Sequence, residues 1–377
     1  MFGKSITLFK LLGFKVKMDA SWVLIALFIT WSLARGWFPS LYPDLPLTAY
    51  WWMGVVGVIG LFFSLVLHEL SHSLVARQFG LPITGITLFI FGGVAEMETE
   101  PKSPKDEFLM AIAGPITSGL LAAVFYAVFA LGEARDLPAP FLGTAHYLAS
   151  INAIIAIFNL LPAFPLDGGR ALRATLWYWK HDLRWATRVA TRLGSGFGTA
   201  LIILGFLNVI AGNFIGGIWW FLIGMFLRGA AIASYQQLLV RRALEGEPVS
   251  RFMTLRPVTV PLHITVTELV ENFVYVYYHD MFPVADGARL LGCVSTRDIK
   301  KMPHDQWDRR TVGDIFAPCS AQNVVSPDED AVNALTKMQT TGNSRLMVAE
   351  DGRLVGVVTL KDLLQLLSLK IDLEAPG

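Results

Sequence analysis

Through the first 235 positions apolar residues run in blocks too long for a soluble core, and beyond that point they thin into short alternating segments. Six blocks, near 19–38, 50–79, 107–131, 144–162, 195–213 and 214–235, are each long enough to cross about 30 Å of hydrocarbon, which takes roughly 20 helical residues. The fifth and sixth are separated only by AGNFIGG, a Gly/Asn-rich turn suited to a helical hairpin. From about 249 to 370 the pattern becomes that of strands alternating with amphipathic helices, and it repeats: FPVADGARLLGCVSTRDI (282–299) matches LMVAEDGRLVGVVTLKDL (346–363), with Gly292 on Gly356 and Asp298 on Asp362. Each copy reads as strand, turn, strand, helix.

Composition agrees with a membrane protein, since 54% of the 377 residues are hydrophobic and 16% charged. The net charge of +1 gives no electrostatic case for a nucleic-acid partner. Placement of charge is more informative. Lys4, Lys10, Lys15 and Lys17 precede the first span, Arg77, Lys102 and Lys105 follow the second, and Arg170 to Arg192 follow the fourth, whereas loops 39–49 and 208–216 have no basic residue. By the positive-inside rule both termini are cytosolic. The N-terminal stretch lacks a small-residue cleavage signature and reads as leading into a retained helix. The expected fold is a multi-pass α-helical membrane protein of six transmembrane helices with a cytosolic α/β domain: 1–240 in the bilayer, a linker at 241–248, repeats at 249–308 and 309–370, and a tail at 371–377.

The second span ends in His68-Glu69-Leu70-Ser71-His72. Imidazoles at i and i+4 project from one helix face and are able to share a metal. The same spacing occurs in helices where both rings merely pack. Each ionisable group inside a bilayer costs about 2.5–3.5 kcal/mol, however, and metal ligation offsets that cost. A hydrolytic zinc wants three protein ligands and one open position. The candidate third ligand lies in NLLPAFPLDGGR, where Asp167 follows the end of the fourth span and precedes the flexible pair Gly168-Gly169. At 1.5 Å per residue His68 lies about 25 Å below Trp51, in the cytosolic third of the bilayer, and the fourth span brings Asn159 to a similar depth with Asp167 just beyond. Read alone, Asp167 is an ordinary turn aspartate. Asn159 reads either as a helix-packing residue, like Asn152 seven positions earlier, or as a substrate contact.

HELSH on a membrane helix followed by NLLPAFPLDGG resembles the site-2 protease family of intramembrane zinc metalloproteases. FGGVAEM (91–97) and AIAGPITSGLLA (111–122) are similar to the family's β-loop and third-span segments. The resemblance, over roughly 50–235, implies one Zn²⁺ per chain held by His68, His72 and Asp167, with Glu69 as general base and Asn159 contacting the scissile peptide. A substrate helix must also unwind before its carbonyls are attacked. The segment 83–99, broken by Gly92-Gly93, reads as a short hairpin whose free edge binds unwound substrate by β-addition, or as a purely structural re-entrant loop. Many bacterial relatives carry a PDZ module, for which 132–143 is far too short.

The repeat resembles a tandem pair of CBS domains, GCVSTRDI and GVVTLKDL matching that module's signature. Such pairs resemble adenosine-nucleotide sensors, which implies ATP or AMP bound by Ser295, Asp298, Thr359 and Asp362; other pairs only dimerise, so homo-oligomers through this domain are the other expectation. Cys293 aligns with Val357 and reads as a small buried hydrophobe. Three functions follow: a protease of membrane-embedded or membrane-associated proteins in the cell membrane, regulated by nucleotide; a CBS-regulated channel or transporter with the His/Glu cluster as an ion path; or an inactive homologue. An intact HExxH with Asp167 favours the first.

Overall fold

The computed structural model describes residues 5–81, 83–89, 92–97, 101–287 and 289–365, and the chain divides into two compact units between Gln236 and Gln237. The expected tail, residues 366–370 of the second repeat, and positions 90, 91, 98 and 99 of the expected hairpin lie outside the described residues.

The first unit contains a sheet of which half was unanticipated. Ile6–Leu11 (β1) and Phe14–Met18 (β2) pair antiparallel, β2 runs parallel to Ile83–Phe89 (β3), and β3 turns back against Gly92–Met97 (β4), giving the order β1-β2-β3-β4. The lysines taken as marks of topology also belong to a two-residue period: Phe14 and Val16 are buried while Lys15 is exposed.

Asp19 accepts a hydrogen bond from the Ser21 N–H at 2.9 Å and so starts α1 (Ala20–Ser32), which passes through a π turn at Leu33–Trp37 into α2 (Phe38–Leu41). Then come α3 (Leu47–Gln78), α4 (Pro104–Glu133), α5 (Ala139–Asn159), α6 (Asp167–Lys180), α7 (Leu183–Ile210) and α8 (Phe214–Leu244). Among the described residues six helices are long and apolar enough to span a membrane: Ala20–Leu41, α3, α4, α5, α7 and α8. Between 22% and 50% of each apolar window is buried, and the rest is an apolar surface suited to lipid. α7 begins at Leu183 rather than near 195, because Asp182 caps it at the Trp185 N–H and its first turns are a polar continuation of the membrane helix. In the α7–α8 hairpin, Gly205 and Gly217 bring the two backbones together: a Cβ at either would fall 2.6 Å from the other helix's backbone.

The Gly168-Gly169 pair is a correction. Both residues lie in the first turn of α6, and a Cβ at either would come within 2.5 Å of the 160–164 backbone, so close packing and not flexibility requires glycine there.

In the second unit, to which the end of α8 belongs, the strands are β5 (Thr254–Leu255), β6 (Met281–Asp286), β7 (Arg289–Ser295), β8 (Ala317–Pro318), β9 (Val324–Val325), β10 (Arg345–Glu350) and β11 (Arg353–Thr359), ordered β6-β7-β11-β10-β9. The helices are α9 (Val266–Leu269), α10 (Tyr275–Tyr277), α11 (Thr296–Lys300), α12 (Val312–Ile315) and α13 (Ala331–Thr341). The repeat holds to the level of register, with bulges at Val284/Ala285 and Val348/Ala349. The signature glycines have a physical cause. β8, near the start of the second repeat, crosses Gly292 in the first, and β5, near the start of the first repeat, crosses Gly356 in the second. A Cβ at Gly356 would lie 2.9 Å from the Thr254 carbonyl, and one at Gly292 would run into that of Ala317.

Candidate metal centre

His68 and His72 stand one turn apart on α3, 4% and 5% exposed, with their Nε2 atoms 3.3 Å from each other. Asp167, the first residue of α6, places Oδ2 3.1 Å from His68 Nε2 and 3.2 Å from His72 Nε2. The ligand atoms of the three residues all lie within 4.8 Å of one another. Depth matching along two separate helices anticipates this convergence.

The far side of each ring is held by α4. His72 Nδ1 lies 2.6 Å from the Met110 carbonyl, which only accepts, so Nδ1 donates. His68 Nδ1 lies 2.9 Å from Oγ of the buried Ser118. With Nδ1 donating, a neutral His72 would turn the lone pair of Nε2 toward a carboxylate oxygen, an arrangement of acceptors that a metal cation between them would satisfy. Spacing agrees with this. Ligands at about 2.0–2.1 Å around a tetrahedral zinc are separated from one another by roughly 3.3 Å, close to the 3.1–3.3 Å observed here. The residues fit a zinc ion. Gly114 faces the same point, where a Cβ would lie 2.6 Å from His68 Nε2 and would also meet His72 Nε2.

These groups line a cavity of about 560 Å³ whose wall also includes Glu69, Asn159, Arg170, Gly92 and Gly93. Gly93 passes directly over Glu69, since a Cβ there would stand 2.8 Å from Glu69 Oε1. The described residues of the expected hairpin are β3 and β4, and β4 is the last strand in the sheet order. Phe226 and Leu227 of α8 also line the cavity, the Phe226 ring lying 6.0 Å from that of Phe89 on β3. Asn159 donates one amide hydrogen to the Ile155 carbonyl at 3.0 Å and has a second to offer the cavity. Asn152, fully buried, donates to Ser64 Oγ on α3 at 3.0 Å, as a helix-packing residue does.

The sequence reading missed Met110, Gly114, Ser118 and Arg170. The AIAGPITSG run containing Gly114 and Ser118 was noticed, but a carbonyl partner leaves no mark in sequence.

In the second unit Ser295 and Asp298 form a capping box at the start of α11, with Ser295 Oγ donating to Asp298 Oδ2 at 2.5 Å. Partial burial acts against the Asp298 carboxylate, yet hydrogen bonds from Ser295 and Lys301 hold it below the usual range. Thr359 and Asp362 repeat the arrangement, with Thr359 Oγ1 donating at 2.7 Å. All four candidate nucleotide residues thus have a local capping role. Cys293 is buried, and burial followed by the nearby Asp298 pushes its thiol up to about 11, as suits a core residue.

Comparison with known proteins adds the following. The model of peptidase family M50 matches residues 56–137 and 134–205, and that of the CBS domain matches 249–305 and 312–369. Rip3 of Mycobacterium tuberculosis, provisionally named a zinc metalloprotease, is 35% identical over 367 residues, 97% of this chain and 93% of that protein. The zinc metalloprotease MJ0392 of Methanocaldococcus jannaschii is 30% identical over 366 residues, 97% and 96% of the two chains. A solved site-2 protease from Methanocaldococcus jannaschii, 30% identical, covers 61% of this chain and 94% of its own at a TM-score of 0.44.

Proposed function

The chain belongs to peptidase family M50, the site-2 type of zinc metalloprotease with a CBS pair appended, and from that premise we propose that His68, His72 and Asp167 hold the metal while Glu69 carries the proton. The observation that carries this reading is the meeting of two imidazole nitrogens and a carboxylate oxygen from separate helices within 4.8 Å. Zinc held there would supply Lewis acidity, polarising a carbonyl and making water acidic enough to ionise near neutral pH. Glu69, beside the ligands on the cavity wall, would serve as the general base and acid, taking a proton from the attacking water and giving it to the leaving amine. Asn159 directs its remaining amide hydrogen to the oxygen that gains charge.

The substrates are membrane-embedded or membrane-associated proteins, cut in regulated intramembrane proteolysis. The place of β4 at the sheet edge supports its pairing with an unwound segment, and the missing side chain of Gly93, next to Gly92 in the same strand, lets β4 itself run close to Glu69, so that the paired segment would be held near that carboxylate. The distribution of lysine and arginine supports cytosolic termini and a cytosolic CBS pair. Adenine nucleotide at Ser295, Asp298, Thr359 and Asp362 would regulate cleavage. A channel or transporter is not favoured, because relatives matching along nearly the whole chain carry the metalloprotease name.

Replacement of Glu69 by Gln tests the assignment. Zinc content should stay at the parental level while cleavage of a co-expressed membrane substrate falls by about 10²–10⁴-fold. Cleavage at the parental rate would remove Glu69 from the mechanism.

A further inference from the structure

Glu107 and Arg173 form an ion pair to which the chemistry above assigns no part. Glu107, in the first turn of α4, is completely buried, and Arg173, on α6, is 5% exposed. Arg173 Nε donates to Glu107 Oε1 at 2.7 Å and Nη2 donates to the same oxygen. The guanidinium also lies over the Phe164 ring, 5.3 Å from its centroid. Glu107 Oε2 is buried without a hydrogen-bond partner.

Such a pair is poorly explained by stability. Desolvation of two ions offsets much of their attraction, and apolar residues of similar volume commonly serve as well or better. Location explains it more directly. Glu107 lies one turn before Met110, whose carbonyl fixes His72, on the helix that also supplies Gly114 and Ser118. Arg173 lies six residues after Asp167, about 9 Å along α6. Phe164, beneath its guanidinium, belongs to the loop between Asn159 and Asp167. The pair thus ties the helix that orients both imidazoles to the helix that delivers the carboxylate.

We infer that Glu107 and Arg173 are positioning residues that fix the reach of Asp167 toward His68 and His72. This rests on the zinc reading of the centre. The telling variant is the neutral pair Glu107→Gln with Arg173→Met, which leaves no buried unpaired charge and is expected to fold. In the purified full-length chain, competition against a chromophoric chelator should show zinc bound about 10–100-fold more weakly than by the parent. Melting of the metal-free protein should barely move, while the rise in melting temperature on adding zinc should shrink. The exchanged pair Glu107→Arg with Arg173→Glu should recover part of the loss. Parental zinc affinity in the neutral variant would overturn the inference, as would equal falls in melting temperature with and without zinc. A parental chain that takes up no zinc would instead overturn the reading of the centre itself.

Discussion

At position 114 a single absent methyl group decides whether two imidazoles and a carboxylate are able to meet. A Cβ on Gly114 would lie 2.6 Å from His68 Nε2, in the direction of the common point of the three ligand atoms. Gly114→Ala is therefore expected to abolish zinc binding with little effect on the fold, which metal analysis beside circular dichroism would establish; an alanine variant with stoichiometric zinc would refute the packing described. At this scale His68 and His72 are legible from their spacing, and Asp167 from a depth shared by two helices. The Met110 carbonyl is not legible, because every residue carries one. Ser118 looks like any small residue in an apolar run, although a membrane-buried hydroxyl four residues beyond Gly114 is the signal that would have found it. The glycines after Asp167 illustrate a different failure: a turn-like sequence suggests freedom, whereas the neighbouring backbone shows crowding.

Among the elements, the six spans were legible because lipid imposes a length and a composition that soluble packing does not. Their ends were less so. α7 starts twelve residues before its apolar block, since a capped polar turn continues a helix at no cost in hydrophobicity. β1 and β2 were hidden because the lysines of Phe14-Lys15-Val16-Lys17 carry two signals at once, topology and alternation. The outer side of β4, the last strand of the sheet among the described residues, yields the sharpest expectation here. Proline placed in turn at Val94 and at Ala95, where the pairing with β3 is regular, should give two different outcomes, one destabilising the sheet by removing a bond to β3, the other sparing stability but lowering substrate cleavage. Parallel thermal melts and cleavage assays separate them. Cleavage that tracks stability at both positions would exclude pairing of substrate on that edge.

For the molecule as a whole, an internal repeat made the CBS pair visible, but the exchange of β5 and β8 between the repeats was not, because two-residue strands carry no periodicity. The capping boxes give Asp298 and Asp362 a structural role, so loss of function on replacing them is ambiguous unless stability is followed too. Calorimetric titration of the parent with ATP and AMP should release heat. The Asp298→Ala, Asp362→Ala double variant should bind more weakly, by more than the cost of two lost caps, about 1 kcal/mol each, would explain. No heat and no thermal shift in the parent would remove nucleotide from the account. The membrane unit would remain a zinc metalloprotease in either case.

The centre itself is reached most directly by zinc K-edge X-ray absorption on the purified chain. The geometry predicts one zinc with two imidazole nitrogens at about 2.0–2.1 Å and a carboxylate oxygen at about 2.0–2.2 Å. Protein free of zinc, or zinc without imidazole in its coordination shell, would contradict it.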